Sequence, residues 1–522
     1  MAGYSFLQGA FILLIAGLIN RFLGFGYQIA IIRLIGPEGV GLFNIVFPVY
    51  IMMLVLASAG IPLAIAKLVA EEVANNNIPG AYRIFKLSLF ILLITSLFFT
   101  VVLIIAAPIL TESYFPNPRV YYCLISLVPG IIIVTLCSAF RGFFQGLQQM
   151  SPTAITQTIE QLVRVVSGLV FAYIMLPLGI EYAAVGLSVG VILGELTGFV
   201  LMLRIYANYR PIALHYVPGS WRKIYHLGNS MKKIFTLAIP VTLTRIVATA
   251  LMSIQAVLIP QRLQVAGLSI EQATSAYGQF IGIAEALLFM PGVLTMALAT
   301  SLVPAMSDAI AANNLALARS RILDAVRLTL QVGVPAAFIF LLLADELCGV
   351  LFGYVQAGAI LKVLALSGPF LYLQQTTTGI LQGVGKADVP FKNLVASSLV
   401  CIMGIYYLTA VPQLGMGGTA AAVAIGFIIM PILNMLHLFK MGLFTLSARE
   451  NVLKPLVAAL GMSLLIIYTK KIMYGYGIHD GLVLVITLLA GGFTYLVLMQ
   501  ITGGINDQDR QKFGMLFKFN RR

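Results

Sequence analysis

Two arginines lie near the middle of long apolar segments of this 522-residue chain. Arg21 falls within residues 6–36, and Arg245 falls within residues 234–260. A charge at the depth of a bilayer costs several kcal/mol unless it faces water or a partner, so such a residue is a candidate for function. The two arginines predict a central cavity that receives an anionic cargo. The alternative is that each pairs with a glutamate and locks the helices together.

Arginine suits an anionic cargo because its planar guanidinium binds two oxygens of an anion at once and never deprotonates. Arg21 and Arg245 are therefore the first candidates for cargo binding. Lys67 and Arg141 lie at the ends of predicted spans, near the expected cytoplasmic mouth, where they would attract the same anion. The alternative for this second pair is that their long side chains reach out to the membrane surface.

Three glutamates inside apolar segments are candidates for ion coupling or for pairing with the arginines: Glu160, Glu195 and Glu285. Glu160 and Arg164 are four residues apart on one predicted helix, so they share a face and are expected to pair. Glu195 has no Lys or Arg within four residues, which makes it the leading candidate for a proton site. Alternatively, the membrane potential acts directly on the arginines.

Residue types that carry catalysis or bind metals form no cluster in the sequence. The four histidines are scattered, at His215, His226, His437 and His479. The four cysteines show no CxxC spacing and are expected to be small buried hydrophobic residues. A phosphate-binding loop motif is also absent from the sequence. We therefore expect no enzymatic activity, no metal or other cofactor, and no direct use of ATP.

The composition indicates a membrane protein. Hydrophobic residues make up 60% of the chain and charged residues 10%, whereas soluble domains are about a quarter charged. A helix needs about 20 mostly apolar residues to cross a membrane, and the alternation of a β-barrel is not seen. The sequence predicts an all-α polytopic protein with about fourteen spans, near residues 6–35, 42–67, 84–110, 120–146, 154–177, 183–206, 235–260, 276–304, 324–344, 358–383, 394–411, 417–439, 453–474 and 481–502.

The net charge of +14 is distributed unevenly along the chain. With the amino terminus in the cytoplasm, the inner connections and the tail hold most of the basic residues. The outer connections hold only Arg119, Arg262, Lys470 and Lys471. This asymmetry follows the positive-inside rule. It predicts a multi-pass protein of the cytoplasmic membrane with both termini cytoplasmic, in contact with membrane lipids rather than nucleic acid; Lys470 and Lys471 are a local exception.

The sequence also contains an internal duplication. Three residues at the end of predicted span 4, Gly142, Gln145 and Gly146, match Gly379, Gln382 and Gly383 at the end of span 10, at an offset of 237. Spans 2 and 8 align at an offset of 233, and spans 1 and 7 at 224, which pairs Arg21 with Arg245. The motif Ala74-Asn75-Asn76 has a counterpart in Ala312-Asn313-Asn314.

The duplication predicts two six-helix lobes that enter the membrane in the same orientation around a central cavity, followed by two further helices. The corresponding boundaries are 1–206 for the first lobe, 207–234 for a cytoplasmic linker, 235–441 for the second lobe, and 442–522 for the last two helices and a basic tail. In such transporters the cargo binds near the midplane between the lobes.

Four motifs resemble those of a known superfamily: NRFLGFGYQIAIIRLIGPEGVGLFN (20–44), GIPLAIAKLVAE (60–71), RGFFQGLQQMSPTAITQTIEQLVR (141–164) and GILQGVGKADVPFKN (379–393). The chain resembles the polysaccharide-transporter branch of the multidrug/oligosaccharidyl-lipid/polysaccharide exporters, and within it the stage V sporulation protein B family, related to lipid II flippases. The resemblance covers the whole chain.

The resemblance implies a flippase of undecaprenyl-pyrophosphate-linked saccharides, such as peptidoglycan precursor, and a link to cell-wall or spore-cortex synthesis enzymes. It implies that Arg21 and Arg245 contact the pyrophosphate. Lipid II flippases tend to have a second arginine where this chain has Tyr27. Two other functions remain open: a drug or cation antiporter of the same superfamily, which would need acidic residues in its cavity, and a non-transporting scaffold of a wall-synthesis complex.

Overall fold

The computed structural model describes residues 6–209, 227–444 and 449–504. Within these ranges the chain forms α-helices, short 3₁₀ and π-helical segments and turns, without any β-strand. Most of the predicted linker (residues 210–226) and the basic tail after Gly504 lie outside the described residues. The chain forms two compact units, Met1–Gly282 and Ile283–Arg522. The predicted lobe boundaries follow the duplication rather than these contacts and stay a prediction.

The first unit contains nine α-helices among its described residues. They are α1 (Phe6–Ser58), α2 (Ile61–Ala74), α3 (Ile78–Ser113), α4 (Tyr121–Leu127), α5 (Pro129–Gly146), α6 (Ser151–Met175), α7 (Ile180–Tyr209), α8 (Leu227–Val265) and α9 (Ile270–Gln279), and a π-helical segment, Phe280–Glu285, follows α9. Within this unit α1 packs against α6, α8 and α9, while α6 packs along α7.

The second unit contains nine more α-helices in its described part. They are α10 (Ala286–Phe289), α11 (Gly292–Ala311), α12 (Leu315–Leu347), α13 (Ala357–Ala365), α14 (Gly368–Gly383), α15 (Asp388–Leu408), α16 (Gly415–Lys440), α17 (Lys454–Gly475) and α18 (Asp480–Ile501). Here α11 packs against α14, α15 against α16, and α17 against α18.

The number of candidate membrane spans is close to the predicted fourteen. The described residues contain 12 helical stretches long and apolar enough to span a membrane, or 13 with the bent pair α13–α14. The first stretch, Ile15–Ala74, has 60 residues, about 90 Å of helix and roughly three times the thickness of the hydrocarbon core. Gly36 breaks it with a φ of 73°. Its two arms, counted separately, would bring the candidate spans of the described ranges to the predicted number of about fourteen, and the all-α polytopic fold is confirmed.

The last helix pair is attached to α12 by a charged cluster. Lys470 of α17 pairs with Glu346 of α12, and its Nζ also donates a hydrogen bond to the Leu342 carbonyl at 3.3 Å. Tyr474 Oη donates to Glu346 Oε1 at 3.2 Å. This partnership explains one of the two lysines that depart from the positive-inside pattern, because the charge of Lys470 is neutralised within the protein.

Turns recur at a constant offset along the chain, as the duplication predicts. Asn76 (φ 55°) precedes α3, and Asn313 (φ 52°) precedes α12 at the same offset of 237. The next residues, Asn77 and Asn314, cap these helices by accepting hydrogen bonds from Gly80 N at 3.1 Å and Leu317 N at 2.9 Å. The equivalent of Asn313 is therefore Asn76, one residue beyond the pairing that the sequence motif indicated.

Helix packing shows the same offset. A methyl group on Gly142 of α5 would lie 2.5 Å from the Pro62 carbonyl oxygen, and one on Gly379 of α14 would lie 2.5 Å from that of Ala299. Pro62 and Ala299 are related by the offset that relates Gly142 to Gly379. The predicted offset of 233 between spans 2 and 8 is therefore wrong by four residues. Apolar helices match almost as well after a shift of about one turn, which explains the error.

Candidate functional site

Arg21 lies on α1, and its side chain is exposed. A methyl group on Gly24 would lie 3.6 Å from Gln161 Nε2 of α6. Two turns beyond Arg21, Gln28 Nε2 donates to the Gly282 carbonyl at 3.2 Å. At about 3.6 residues per turn, Arg21 is nearly in line with Gln28. Arg21 therefore lies on the same side of α1 as the contact between Gln28 and Gly282.

Arg245 lies in the same unit, on α8, and its side chain is also exposed. The break between α1 and α2 contacts α8 just before it. A methyl group on Gly60 would lie 2.6 Å from the Ala238 carbonyl oxygen and 3.0 Å from Thr242 Oγ1. Arg245 follows Thr242 by one turn, and no carboxylate of the described residues forms an ion pair with it. The predicted lock with a glutamate is thus not seen at Arg245.

Lys67 and Arg141 occupy different environments. Lys67 has 58% of its side chain exposed, and its Nζ lies 3.9 Å from Glu71 Oε1 on the next turn of α2. Exposed pairs of this kind hold each other weakly, so Lys67 is available to an anionic group. Arg141 is instead largely buried, and its Nη2 donates to Glu160 Oε2 at 2.6 Å. The structure therefore places Arg141 in an ion pair with Glu160.

Arg141 and Glu160 belong to a four-residue ion network inside the first unit. Arg164 Nη2 donates to Glu160 Oε1 at 2.9 Å, so the predicted pair within α6 is present. The same nitrogen donates to Glu195 Oε1 of α7 at 2.6 Å. Glu195 thus has the partner that its own helix does not supply. The network contains two positive and two negative side chains, and its formal charge is zero.

Glycines place these charges together. Along α7, Gly186, Gly190, Gly194 and Gly198 recur every four residues and form one face, the α7 glycine stripe. A methyl group on Gly194 would lie 2.7 Å from the Glu160 carbonyl oxygen. Small residues at this spacing let helix backbones approach closely in membranes. The stripe brings Glu195 beside α6, and its spacing was the available sequence signal for this contact, which the sequence analysis did not use.

Several buried polar atoms around the network have no hydrogen-bond partner among the described residues. They are Nε of Arg141, Nε of Arg164, Oε2 of Glu195, and the hydroxyls of Tyr27 and Tyr50 on α1. Buried polar groups are normally satisfied by protein or by ordered water. This polar interior of α1, α5, α6 and α7 is therefore suited to hold water or a transferable proton.

Glu285, the third coupling candidate, lies elsewhere. It is the last residue of the π-helical segment Phe280–Glu285, and it is partly buried in the second unit. Single π-helical turns inside α-helices often occur at functional sites. No ion pair to Glu285 is formed by the described residues, and the network of the first unit does not include it.

An apolar groove of about 460 Å³ lies between α1 and α6. Its α1 residues include Ile19, Leu23, Gly26 and Ala30, which lie on the face of α1 opposite Arg21. One side of α1 is therefore apolar, and the opposite side has the positive charge of Arg21.

The sequence matches the family model described as polysaccharide biosynthesis protein over residues 6–310, and the MatE model over residues 265–408. Stage V sporulation protein B of Bacillus subtilis (strain 168) is 32% identical over 87% of both chains. Lipid II flippase MurJ of the same strain is 24% identical over 94% of both. A solved structure of lipid II flippase MurJ in an inward closed conformation superimposes with a TM-score of 0.72 at 16% identity, covering 93% of this chain and 97% of that one.

Proposed function

Since the chain belongs to the polysaccharide biosynthesis protein family, within the multidrug/oligosaccharidyl-lipid/polysaccharide exporter superfamily, we propose that it is a flippase. Its cargo is an undecaprenyl-pyrophosphate-linked saccharide, which it moves across the cytoplasmic membrane by alternating access. Relatives named for sporulation and for lipid II flipping support this cargo class and a role in wall or spore-cortex synthesis. Both termini are cytoplasmic in this proposal, because the basic residues are concentrated in the corresponding connections.

The observation that carries the proposal is the pair of exposed arginines on packed helices of one unit. Arg21 and Arg245 project from α1 and α8, which contact each other. Arg245 has no carboxylate partner in the described part of the chain, so its charge is not neutralised by the protein. A pyrophosphate diester brings about two negative charges and offers oxygens to both guanidinium groups.

This charge balance also supplies a driving force. With cargo bound, two guanidinium groups offset the charge of the pyrophosphate; release of the cargo removes about two negative charges, so the empty carrier is more positive than the loaded one by about two charges. A potential that is negative inside favours the return of these charges toward the cytoplasm by about 2.3 kcal/mol per charge per 100 mV. The saccharide is released outside, and the empty cavity returns.

Two observations weigh against the other functions. A cation antiporter needs net acid in its cavity, whereas the buried network has no net charge and the exposed cavity candidates are arginines. A scaffold has no need for a buried network of four charges, because burial of ions is costly. Neither alternative accounts for Arg21 and Arg245 together.

The experiment uses the purified chain in liposomes that carry a fluorescent undecaprenyl-pyrophosphate saccharide, and it measures how fast the label reaches the opposite leaflet. We expect transport by the wild type and none above background by an Arg21→Ala/Arg245→Ala double variant. Arg262→Ala is the matched control, since Arg262 lies on α8 about 25 Å from Arg245. Transport by the double variant at the wild-type rate would refute the pyrophosphate role.

A further inference from the structure

The four-residue network has one member whose charge is less well stabilised than the others. Both oxygens of Glu160 accept hydrogen bonds, one from Arg141 and one from Arg164. Glu195 accepts through Oε1 only, and its Oε2 is buried without a partner in the described chain. A buried carboxylate oxygen that lacks a donor is expensive as an anion and is satisfied when it carries a proton.

The two carboxylates also lie close together. Arg164 Nη2 is 2.9 Å from Glu160 Oε1 and 2.6 Å from Glu195 Oε1. These two oxygens can therefore be no more than about 5.5 Å apart, the two hydrogen bonds end to end. Two carboxylates that share a site at such a distance tend to hold a proton between them, because two negative charges repel.

Groups on every helix packed against Glu195 decide which carboxylate takes the proton. Helix α6 presents Glu160 and Arg164, α5 presents Arg141 and Cys137, and α1 presents the Tyr50 hydroxyl. On α4, Cys123 contacts Ser188 at 3.0 Å, two turns away from Glu195 along α7. Glu160 is engaged by two arginines, so Glu195 is the member left to bind the proton.

The second repeat indicates that the fold itself does not need these charges. At the offset of 237, Ser397 replaces Glu160 and Cys401 replaces Arg164. The close contact remains: a methyl group on Gly426 of α16 would lie 3.0 Å from Cys401 Cβ, and one on Gly194 would lie 2.9 Å from Arg164 Cβ. A buried ion network that the packing does not require, and that is costly to desolvate, is best explained by a function.

We propose that Glu195 is a proton-binding site that controls Arg164. Protonation of Oε2 neutralises Glu195 and weakens its bond to Arg164. Arg164 then keeps only its hydrogen bond to Glu160. The network then changes from a formal charge of zero to +1. The proton comes from water and returns to water, and no covalent bond other than O–H forms or breaks.

The added charge lies near the proposed cargo site, and this step rests on the proposed function. Gly24 of α1 is level with Gln161 of α6. Arg21 is one turn before Gly24, and Arg164 is one turn after Gln161. The two arginines are therefore offset by about 9 Å along the helices, and the spacing of two packed helices, about 8–10 Å, adds to this at right angles. One positive charge at this distance strengthens the binding of an anion by roughly tenfold, so proton and pyrophosphate bind cooperatively.

The proton itself is detected by infrared difference spectroscopy of the purified protein in lipid nanodiscs, between about pH 6 and about pH 8. We expect the carbonyl stretch of a buried carboxylic acid at the lower pH. The band should be smaller in Glu195→Gln, which keeps the size of the side chain, and unchanged in Asp388→Asn, which removes an exposed carboxylate paired with Lys392. Absence of the band from the wild type, or a band of the same size in Glu195→Gln, overturns the proposal.

The link to cargo is measured by binding of inorganic pyrophosphate to the same samples. Pyrophosphate itself changes its protonation state between about pH 6 and about pH 8. The change of its affinity with pH in Glu195→Gln, which cannot bind the proton, is therefore the baseline. We expect wild-type affinity to rise by roughly tenfold more than this baseline as the pH falls. If pyrophosphate affinity changes equally with pH in the wild type and in Glu195→Gln, the proposal that Glu195 controls Arg164 is wrong. Failure of the wild type to bind pyrophosphate at any pH, with the infrared band present, refutes the proposed cargo site and leaves the proton site standing.

Discussion

The two repeats share their packing and differ in what they bury. In the first repeat, α6 and α7 meet at Gly194 with the network of Arg164 and Glu195 beside it. In the second repeat, α15 and α16 meet at Gly426 beside Cys401. The same glycine-mediated contact therefore holds four charged side chains in one copy and an uncharged site in the other.

At the corresponding helices the second repeat joins buried polar groups through neutral hydrogen bonds. Asn434 of α16 is fully buried, and its Nδ2 donates to Thr377 Oγ1 of α14 at 3.1 Å. Its Oδ1 accepts from Asn393 Nδ2 of α15 at 2.8 Å. Neutral hydrogen bonds thus connect three helices in the second repeat where ion pairs connect three helices in the first. The two repeats therefore share this helix contact, and only the first repeat has the four-residue ion network beside it.

The largest effect is expected from breaking the network at its centre. Arg164→Ala leaves Glu160 and Glu195 buried without their shared donor, and removal of one partner from a buried ion network costs about 3–5 kcal/mol. The matched change in the second repeat, Cys401→Ala, removes one small buried side chain and should cost about 1 kcal/mol. Thermal unfolding of both variants in detergent measures the difference. Similar losses of stability in the two variants would mean that the ion network stabilises the protein no more than ordinary packing contacts do.

The second-largest effect is expected at Arg21 and Arg245, which the internal duplication places at matching positions of the two repeats. Each single alanine variant loses charge-assisted hydrogen bonds to the cargo, so pyrophosphate affinity should fall by about 2–3 kcal/mol, roughly a hundredfold. Arg→Lys should recover only part, because lysine keeps the charge and loses the planar fork. Binding by isothermal titration of the folded variants tests this. Full recovery by lysine would remove the argument for bidentate contact.

The third-largest effect is expected at the two glycine contacts, Gly194 in the first repeat and Gly426 in the second. Gly194→Ala forces a methyl group against a backbone carbonyl oxygen, whereas Gly426→Ala meets the Cβ of Cys401 first. Overpacking of this kind costs about 1–3 kcal/mol, and Gly194→Ala should be the worse of the two because a backbone atom cannot rotate away. Unfolding midpoints of the two variants rank them. The reverse order would show that α6 and α7 separate more easily than α15 and α16.

Sequence reasoning succeeded where the information is local or repeated. Apolar length located the spans, four-residue spacing identified the pair of Glu160 and Arg164, and a constant offset between matching motifs marked the duplication. It did not join Arg141 to Glu160 or Arg164 to Glu195, which are 19 and 31 residues apart. Such pairs depend on which helix faces pack together. The α7 glycine stripe marks one of these faces.

The smallest effect is expected at Lys67, another charge of the first repeat alone, since Pro304 stands at the corresponding position of the second. Lys67 is exposed and holds Glu71 only weakly, so its attraction for an anionic headgroup acts through water and is screened by salt. Lys67→Gln should lower pyrophosphate affinity by about 1 kcal/mol or less at low ionic strength, and the loss should vanish near 1 M salt. Lys392→Gln, which changes an exposed lysine of the second repeat, is the control and should leave affinity unchanged. A loss at Lys67 that persists in high salt would indicate direct contact with the cargo. It would move the binding site toward the end of α2, and the first repeat would then contribute a second cation that the other repeat lacks.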